Sequence, residues 1–439
     1  MKRTKISIFS IILILASVIY AQELSLNDCV NIALENKETL QSAQLDLKSA
    51  KVGKIGALSN ILPSVNFSSG RNETSYAENS ETDFGRIDLF PNQISWSIGV
   101  TGTQNIFDGG GWWNRIARAN NNYKFTQQLE RQMRINVIAE VHRAYFQLLK
   151  KQQLLEVSIQ SLELAEQQVE LAQKKYDLGA ANKTDLLKSE VARGTAKSAL
   201  ITQQALLYVA ISELRNAMGM IGDNSELKIS EEILPLHSVP DFVEAIDILE
   251  ENNPGILAAE SQLIDAKLNK KLAIALRLPS LSASISHQAF SKELDGLTDA
   301  LKNDWTMTTR LNLSFPIFNG LALSTQSQQA KLAVQKQVND RTTVINDAIV
   351  RLESLLGIVS DYFKIIPINE EVLASAEEDF KLVNERYRLG SASILELLDA
   401  QVSVTRARVA LVSSKYDARI QQAYLKAQLG ILDQVFDKN

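Results

Sequence analysis

Three histidines and one cysteine have the widest chemical repertoire in this 439-residue chain, and their spacing assembles none of it. His142, His237 and His287 are scattered, without the ligand spacing of a metal site and without a nucleophile–base constellation beside them. Cys29 is alone, so it forms no internal disulfide and joins no cysteine cluster. It reads as a small buried side chain on the first helix. Gly109-Gly110-Gly111 lacks the following Lys-Ser/Thr of a phosphate loop and reads better as a strand-to-helix turn. Neither an enzyme nor a bound cofactor is expected.

Lys and Arg number 46 against 51 Asp and Glu, a net charge of −5, which becomes −8 without Lys2, Arg3 and Lys5. An acidic chain with no basic block is a poor nucleic-acid binder. Those three cations open a secretory leader over 1–21: Ile6 to Tyr20 is almost wholly apolar and Ala21 is a plausible cleavage position. A retained anchor is the competing reading. Asn27 and Asp28 before Cys29 argue against a lipid-attachment site. After Ala21 no window reaches the ~18–20 apolar residues of a spanning helix, so the exported chain is soluble or crosses a membrane as strands.

The chain repeats itself. Leu62-Pro63-Ser64 returns as Leu278-Pro279-Ser280, 216 residues on; Ile106-Phe107-Asp108-Gly109 returns as Ile317-Phe318-Asn319-Gly320, 211 on. Tyr176-Asp177-Leu178-Gly179 and Tyr387-Arg388-Leu389-Gly390 keep the offset of 211. A unit of this length is no short-period solenoid. The first copy (22–221) is expected to hold a helix at 25–60, strands at 63–71 and 94–107, and helices at 111–178 and 183–218. A linker at 222–240 leads to the second copy (241–439). That copy is expected to hold a helix at 241–276, strands at 279–290 and 305–318, and helices at 321–388 and 394–432.

The strands alternate apolar with small polar residues, as in Trp305, Met307, Leu311 and Leu313 against Thr306, Thr308, Arg310 and Asn312. A half-buried soluble sheet would show the same alternation. The run Trp305 to Phe318 is long enough, at ~3.3 Å per residue and ~45° tilt, to cross about 30 Å of membrane. Four strands cannot close a barrel, because the smallest transmembrane barrels need about eight, so spanning strands require several chains to share one wall.

The long helices carry strict sevens: Val141, Leu148, Leu155, Leu162, Val169 and Tyr176, then Leu352, Val359, Ile366, Leu373, Phe380 and Tyr387. Sustained heptads mark supercoiled packing, and ~65 residues make a rod of roughly 100 Å. A soluble coiled-coil stalk and a channel wall both fit. Pro367 is expected to kink or interrupt the second rod. Gly179 and Gly390 suit left-handed helix stops, after which the chain reverses.

The opening helices, the Leu-Pro-Ser strand starts, the Phe-Asp/Asn-Gly turns and the Tyr-x-x-Gly rod ends, in duplicate and in order, resemble the outer-membrane efflux protein (TolC) family across nearly all of the mature chain. The resemblance implies a fold that is mainly α with transmembrane β. Four strands per chain enter a shared trimeric 12-stranded barrel, and coiled-coil helices form a periplasmic tunnel. It implies a passive outer-membrane exit duct working with a periplasmic membrane-fusion adaptor and an inner-membrane pump of RND or ABC type, in contact with outer-membrane lipid. The alternative is a periplasmic coiled-coil scaffold with a soluble sheet.

By the same resemblance, Glu396 and Asp399 line a pore constriction, and three copies would favour cations. Asp185 and Lys188 hold the matching first-copy positions, a nearly neutral pair. Thr184, Asp185 and Tyr387 match closed-state contacts, while the family's basic lock residue is replaced by Ala392, so the closed state is either held differently, for instance through neighbouring Arg388, or held more weakly. Adaptor tips would dock at Gly179, Ala180, Ala181, Gly390, Ser391 and Ala392. Trp112, Trp113 and Trp305 suit aromatic membrane belts, although core packing explains Trp112 or Trp113 equally well.

Overall fold

The computed structural model describes residues 23–75, 93–222, 227–231 and 239–436. The leader, His237, the tract 76–92 and most of the linker at 222–240 lie outside the described residues. Helix α1 (Leu26–Asn36) starts at Ser25, whose hydroxyl accepts from the Asp28 amide at 3.2 Å while the Asp28 carboxylate accepts from the Ser25 amide at 3.0 Å. The Ser25 hydroxyl, which also donates to the Asp28 carboxylate at 2.7 Å, and then the Ser25 amide hold the Asp28 carboxyl below its ordinary range.

The expected single helices at 25–60 and 241–276 are each two. The first is α1 and α2 (Glu38–Ala57); the second is α5 (Phe242–Asn252) and α6 (Pro254–Ala275). The breaks fall at Lys37 (φ −68°, ψ 115°) and Asn253 (φ −68°, ψ 117°), both in extended backbone. Pro254 explains the second, since a residue before proline is pushed out of helical geometry. Each break is pinned to the last helix of its own copy. Lys37 donates to the Asn216 carbonyl at 2.8 Å, near the end of α4 (Lys183–Ala217). Asn253 donates to the Gln428 carbonyl at 2.7 Å, at the end of α9 (Ile394–Gln428).

The two long helices are α3 (Gly111–Asp177) and α8 (Ala322–Arg388), 67 residues each. Helix α8 is not interrupted at Pro367, although proline there forfeits one intrahelical hydrogen bond. The strands are β1 (Ser64–Thr74), β2 (Gln93–Asp108), β3 (Ser280–Ser291) and β4 (Trp305–Ser314). The last stops four residues before the expected end, because Pro316 cannot donate to a ladder. An unexpected short helix, α7 (Leu297–Asn303), buries Leu297 and Ala300 between β3 and β4.

Two compact units divide the chain. One holds Asp46–Gln127 and Ala258–Thr343, with all four strands; the other holds the remaining residues. In the first unit the strands form one antiparallel sheet in the order β1-β2-β3-β4. The register puts Phe67, Val100, His287 and Met307 in one row, and Asn66, Thr101, Ser286 and Thr308 in the next row on the opposite face. One face is thus apolar and the other hydroxylated. Leu311 and Leu313 are 68% and 71% exposed on the apolar face. The outer edges of β1 and β4 have no strand partner among the described residues.

In the second unit the heptad residues enter buried clusters. Val141 and Leu148 pack with Cys29, Val30 and Leu214; Leu352 and Val359 pack with Leu249 and Leu425. Cys29 is fully buried, and desolvation pushes its thiol up to about 12. Among the described residues no helix is long and apolar enough to cross a membrane.

Candidate functional site

The two helix turns lie in the second unit and are built on one plan. After α3, Gly179 takes φ +72°, its amide donating to the Tyr176 carbonyl at 2.9 Å and that of Ala180 to Lys175 at 2.8 Å. After α8, Gly390 takes φ +80°, with matching bonds to Tyr387 at 3.1 Å and from Ser391 to Arg386 at 2.8 Å. A Cβ at either glycine would meet nothing within 4 Å. Glycine is therefore required by the left-handed backbone, not by crowding.

The restarts differ. Asn182 caps α4 by accepting from the Asp185 amide at 2.9 Å. Ser393 and Glu396 cap α9 reciprocally: the Ser393 amide donates to Glu396 Oε2 at 3.0 Å and the Glu396 amide to Ser393 Oγ at 3.2 Å. Arg386 adds a brace, donating to the Ser391 carbonyl at 3.1 Å while the Ser391 hydroxyl donates to the Arg386 carbonyl, also at 3.1 Å.

Glu396 and Asp399 both stand on the exposed side of α9, with Ile394, Leu397 and Ala400 buried on the other. The Glu396 carboxylate is also a cap acceptor, a role that the spacing Ser-x-x-Glu signals in the sequence. The Asp399 carboxylate has no hydrogen-bond or ion-pair partner among the described residues.

Tyr387 is 5% exposed, packed with Val383, Ile394 and Leu397. The Lys175 ammonium sits 4.0 Å from its ring centroid and donates to the Tyr387 carbonyl. The Tyr387 hydroxyl is buried without a hydrogen-bond partner among the described residues. Burial first, and then the nearby Asp185 charge, raise its ionisation above the ordinary tyrosine value. Asp185 and Tyr387 are thus brought together, with Thr184 exposed beside them. Arg388 does not join them: it pairs with Glu385 on its own helix at 3.4 Å. Ala392 is half-buried against the Tyr387 cluster. Lys175 and Arg386, 211 residues apart at equivalent positions, escaped the sequence reading; their duplication was the available signal.

In the strand-bearing unit, Asp108 accepts from the Trp112 amide at 3.0 Å and from the Arg115 guanidinium. This holds the turn at Gly109, where a Cβ would lie 2.5 Å from the Ala275 carbonyl oxygen. Trp112 and Trp113 stack at 3.9 Å, with Trp113 62% exposed; Trp305 stacks on His287 at 4.9 Å. Among the described residues no group of His, Cys, Asp or Glu is arranged to hold a metal ion.

A four-stranded sheet with an apolar face, whose outer edges have no strand partner among the described residues, and two equivalent 67-residue helices in the same chain fit the class of outer-membrane channel proteins. The model of the outer membrane efflux protein family matches residues 29–220 and 245–431, and the chain belongs to that family. It is 25% identical over 407 residues to the solvent efflux pump outer membrane protein SrpC of Pseudomonas putida, covering 91% of this chain and 84% of that protein. It is 23% identical over 405 residues to the cation efflux system protein CusC of Escherichia coli O157:H7, covering 91% and 85%. A crystal structure of CusC has the same fold, with TM-score 0.82 at 21% identity over 92% of both chains. So does the Campylobacter jejuni outer membrane channel CmeC, with TM-score 0.81 at 18% identity over 93% and 86%. The protein is an outer-membrane exit duct of an efflux system, from a family of channels and not of enzymes.

Proposed function

We propose that three copies of this chain join their sheets edge to edge into a twelve-stranded barrel, forming a passive duct without catalytic residues. A periplasmic membrane-fusion adaptor and an inner-membrane pump of RND or ABC type supply the energy. The open four-stranded sheet carries this reading. Unpaired edges beside an exposed apolar face would leave backbone groups unsatisfied in lipid, and closure with sibling sheets removes them. Glu396 and Asp399 form the constriction, Asp185 and Tyr387 contribute to the closed state, and the turns at Gly179–Ala181 and Gly390–Ala392 receive the adaptor. The cargo follows from neither relative, since one is named for solvents and the other for cations.

Fractionation tests the duct directly. The protein is expected in outer membranes, released only by detergent, with the mass of a trimer. Recovery as a soluble monomer would refute the duct and favour the scaffold.

A further inference from the structure

The hydroxylated face of the sheet contains one charge in the interior of a strand. Ser64, Thr103, Ser284 and Arg310 stand in one register row, flanked by the row of Asn66, Thr101, Ser286 and Thr308. Arg71 and Glu73 lie on the apolar face and pair with each other at 2.7 Å. Asp108 shares the face of Arg310 but sits at the end of β2, where Arg115 and the Trp112 amide take its carboxylate. The Arg310 guanidinium, exposed and opposite Ser284, has no hydrogen-bond or ion-pair partner among the described residues.

We infer that Arg310 is an anion contact inside the barrel, engaging carboxylate, phosphate or sulfonate groups in transit. This rests on the trimeric barrel proposed above, whose polar lumen is this hydroxylated face. Three-fold symmetry sets three guanidinium groups at one depth. Each offers a planar fork of donors matched to an oxyanion, and neighbouring hydroxyls add neutral donors without a competing carboxylate. Low-dielectric walls around a narrow aqueous path concentrate the field of such a group, while salt screens it. The contact is therefore a weak, salt-sensitive selectivity element and not a tight site.

Purified trimers in planar bilayers, with inorganic tripolyphosphate added to either compartment, provide the test. Wild type is expected to be blocked at millimolar concentration. Arg310→Gln should raise the half-blocking concentration at least fivefold, Arg310→Lys should keep part of the block, and Arg310→Glu should replace it with block by spermine. Absence of block in wild type, or equal block in Arg310→Gln, overturns the assignment. Arg310→Cys adds an independent readout, because buried Cys29 leaves the new thiol as the reactive one. A charged, membrane-impermeant thiol reagent should label it in trimers and reduce the current; failure to label overturns the lumen position. Trimers that conduct without these effects remove Arg310 alone, whereas a monomer removes the barrel as well.

Discussion

The two copies of the duplicated unit share their elements, yet their turns have diverged. In the first, Asn182 alone caps α4, Tyr176 is 39% exposed, and Lys188 sits near Asp185. In the second, Ser393 and Glu396 cap α9 reciprocally, Arg386 and Ser391 brace the loop, and Tyr387 is buried. The first turn is therefore a plain reversal, whereas the second concentrates uncompensated acid on a stiffened frame. Duplication supplied two equivalent positions, and the reciprocal cap, the brace and the acidic pair stand at one.

Substitution at the paired glycines tests that asymmetry with the largest effect. Gly390→Trp is expected to abolish export while leaving trimers intact: the added side chain has open space, and the left-handed backbone costs only about 1–2 kcal/mol. Gly179→Trp should impair export less. Cargo efflux from cells and native electrophoresis measure the two outcomes, and equal export by both variants would break the contrast.

Charge removal comes next. Glu396→Gln with Asp399→Asn should raise single-channel conductance severalfold and weaken block by divalent cations. Because Gln still completes a capping box, the change reports charge and not a lost helix start. Asp185→Asn should leave both nearly unaltered; a comparable rise there would place the constriction on both copies.

Much of this was legible in the sequence because duplication fixes equivalence and heptads fix faces: Val141, Leu148, Leu352 and Val359 are all buried. The breaks at Lys37 and Asn253 were hidden because they depend on side chains reaching carbonyls far along the chain, and only Pro254 left a local mark. Only adjacency in the sequence points to Arg388 as a lock residue, and its pairing at 3.4 Å with Glu385, three residues earlier, is not legible there as the preferred contact. The cap role of Glu396 is legible in Ser393-x-x-Glu396, a spacing that serves the helix start whatever else the carboxylate does.

The copies also differ in a half-buried group, whose Nε2 is buried without a hydrogen-bond partner among the described residues. His142 is desolvated, with Lys426 adding repulsion, and its pKa falls to about 4; its counterpart Glu353 is exposed. A histidine with depressed folded pKa binds fewer protons than the unfolded chain between pH 6.5 and 4, so stability present above 6.5 is lost as pH falls through that window. The loss is at most roughly 3 kcal/mol per protomer. Thermal melts should show this acid sensitivity, and His142→Gln should flatten it while Glu353→Gln does not. A smaller contrast sits at the strand-to-helix turns, where Gly110 has φ +83° and its counterpart Leu321 has φ +70°. Leu321→Gly is expected to stabilise by about 1 kcal/mol, and Gly110→Leu to destabilise by a similar amount.

The smallest effect on stability is the most discriminating. Tyr387→Phe removes a buried hydroxyl that has no hydrogen-bond partner among the described residues, so stability to melting should hold or rise slightly, by no more than about 1 kcal/mol. Tyr176→Phe, at an exposed position, should do nothing. If Tyr387 also serves the closed state in the assembled duct, through Asp185 or a neighbouring subunit, Tyr387→Phe should raise resting conductance even as the protomer gains stability. Higher stability with unchanged conductance would assign Tyr387 to heptad packing alone, and leave the acidic face of α9 as the gate's chemistry.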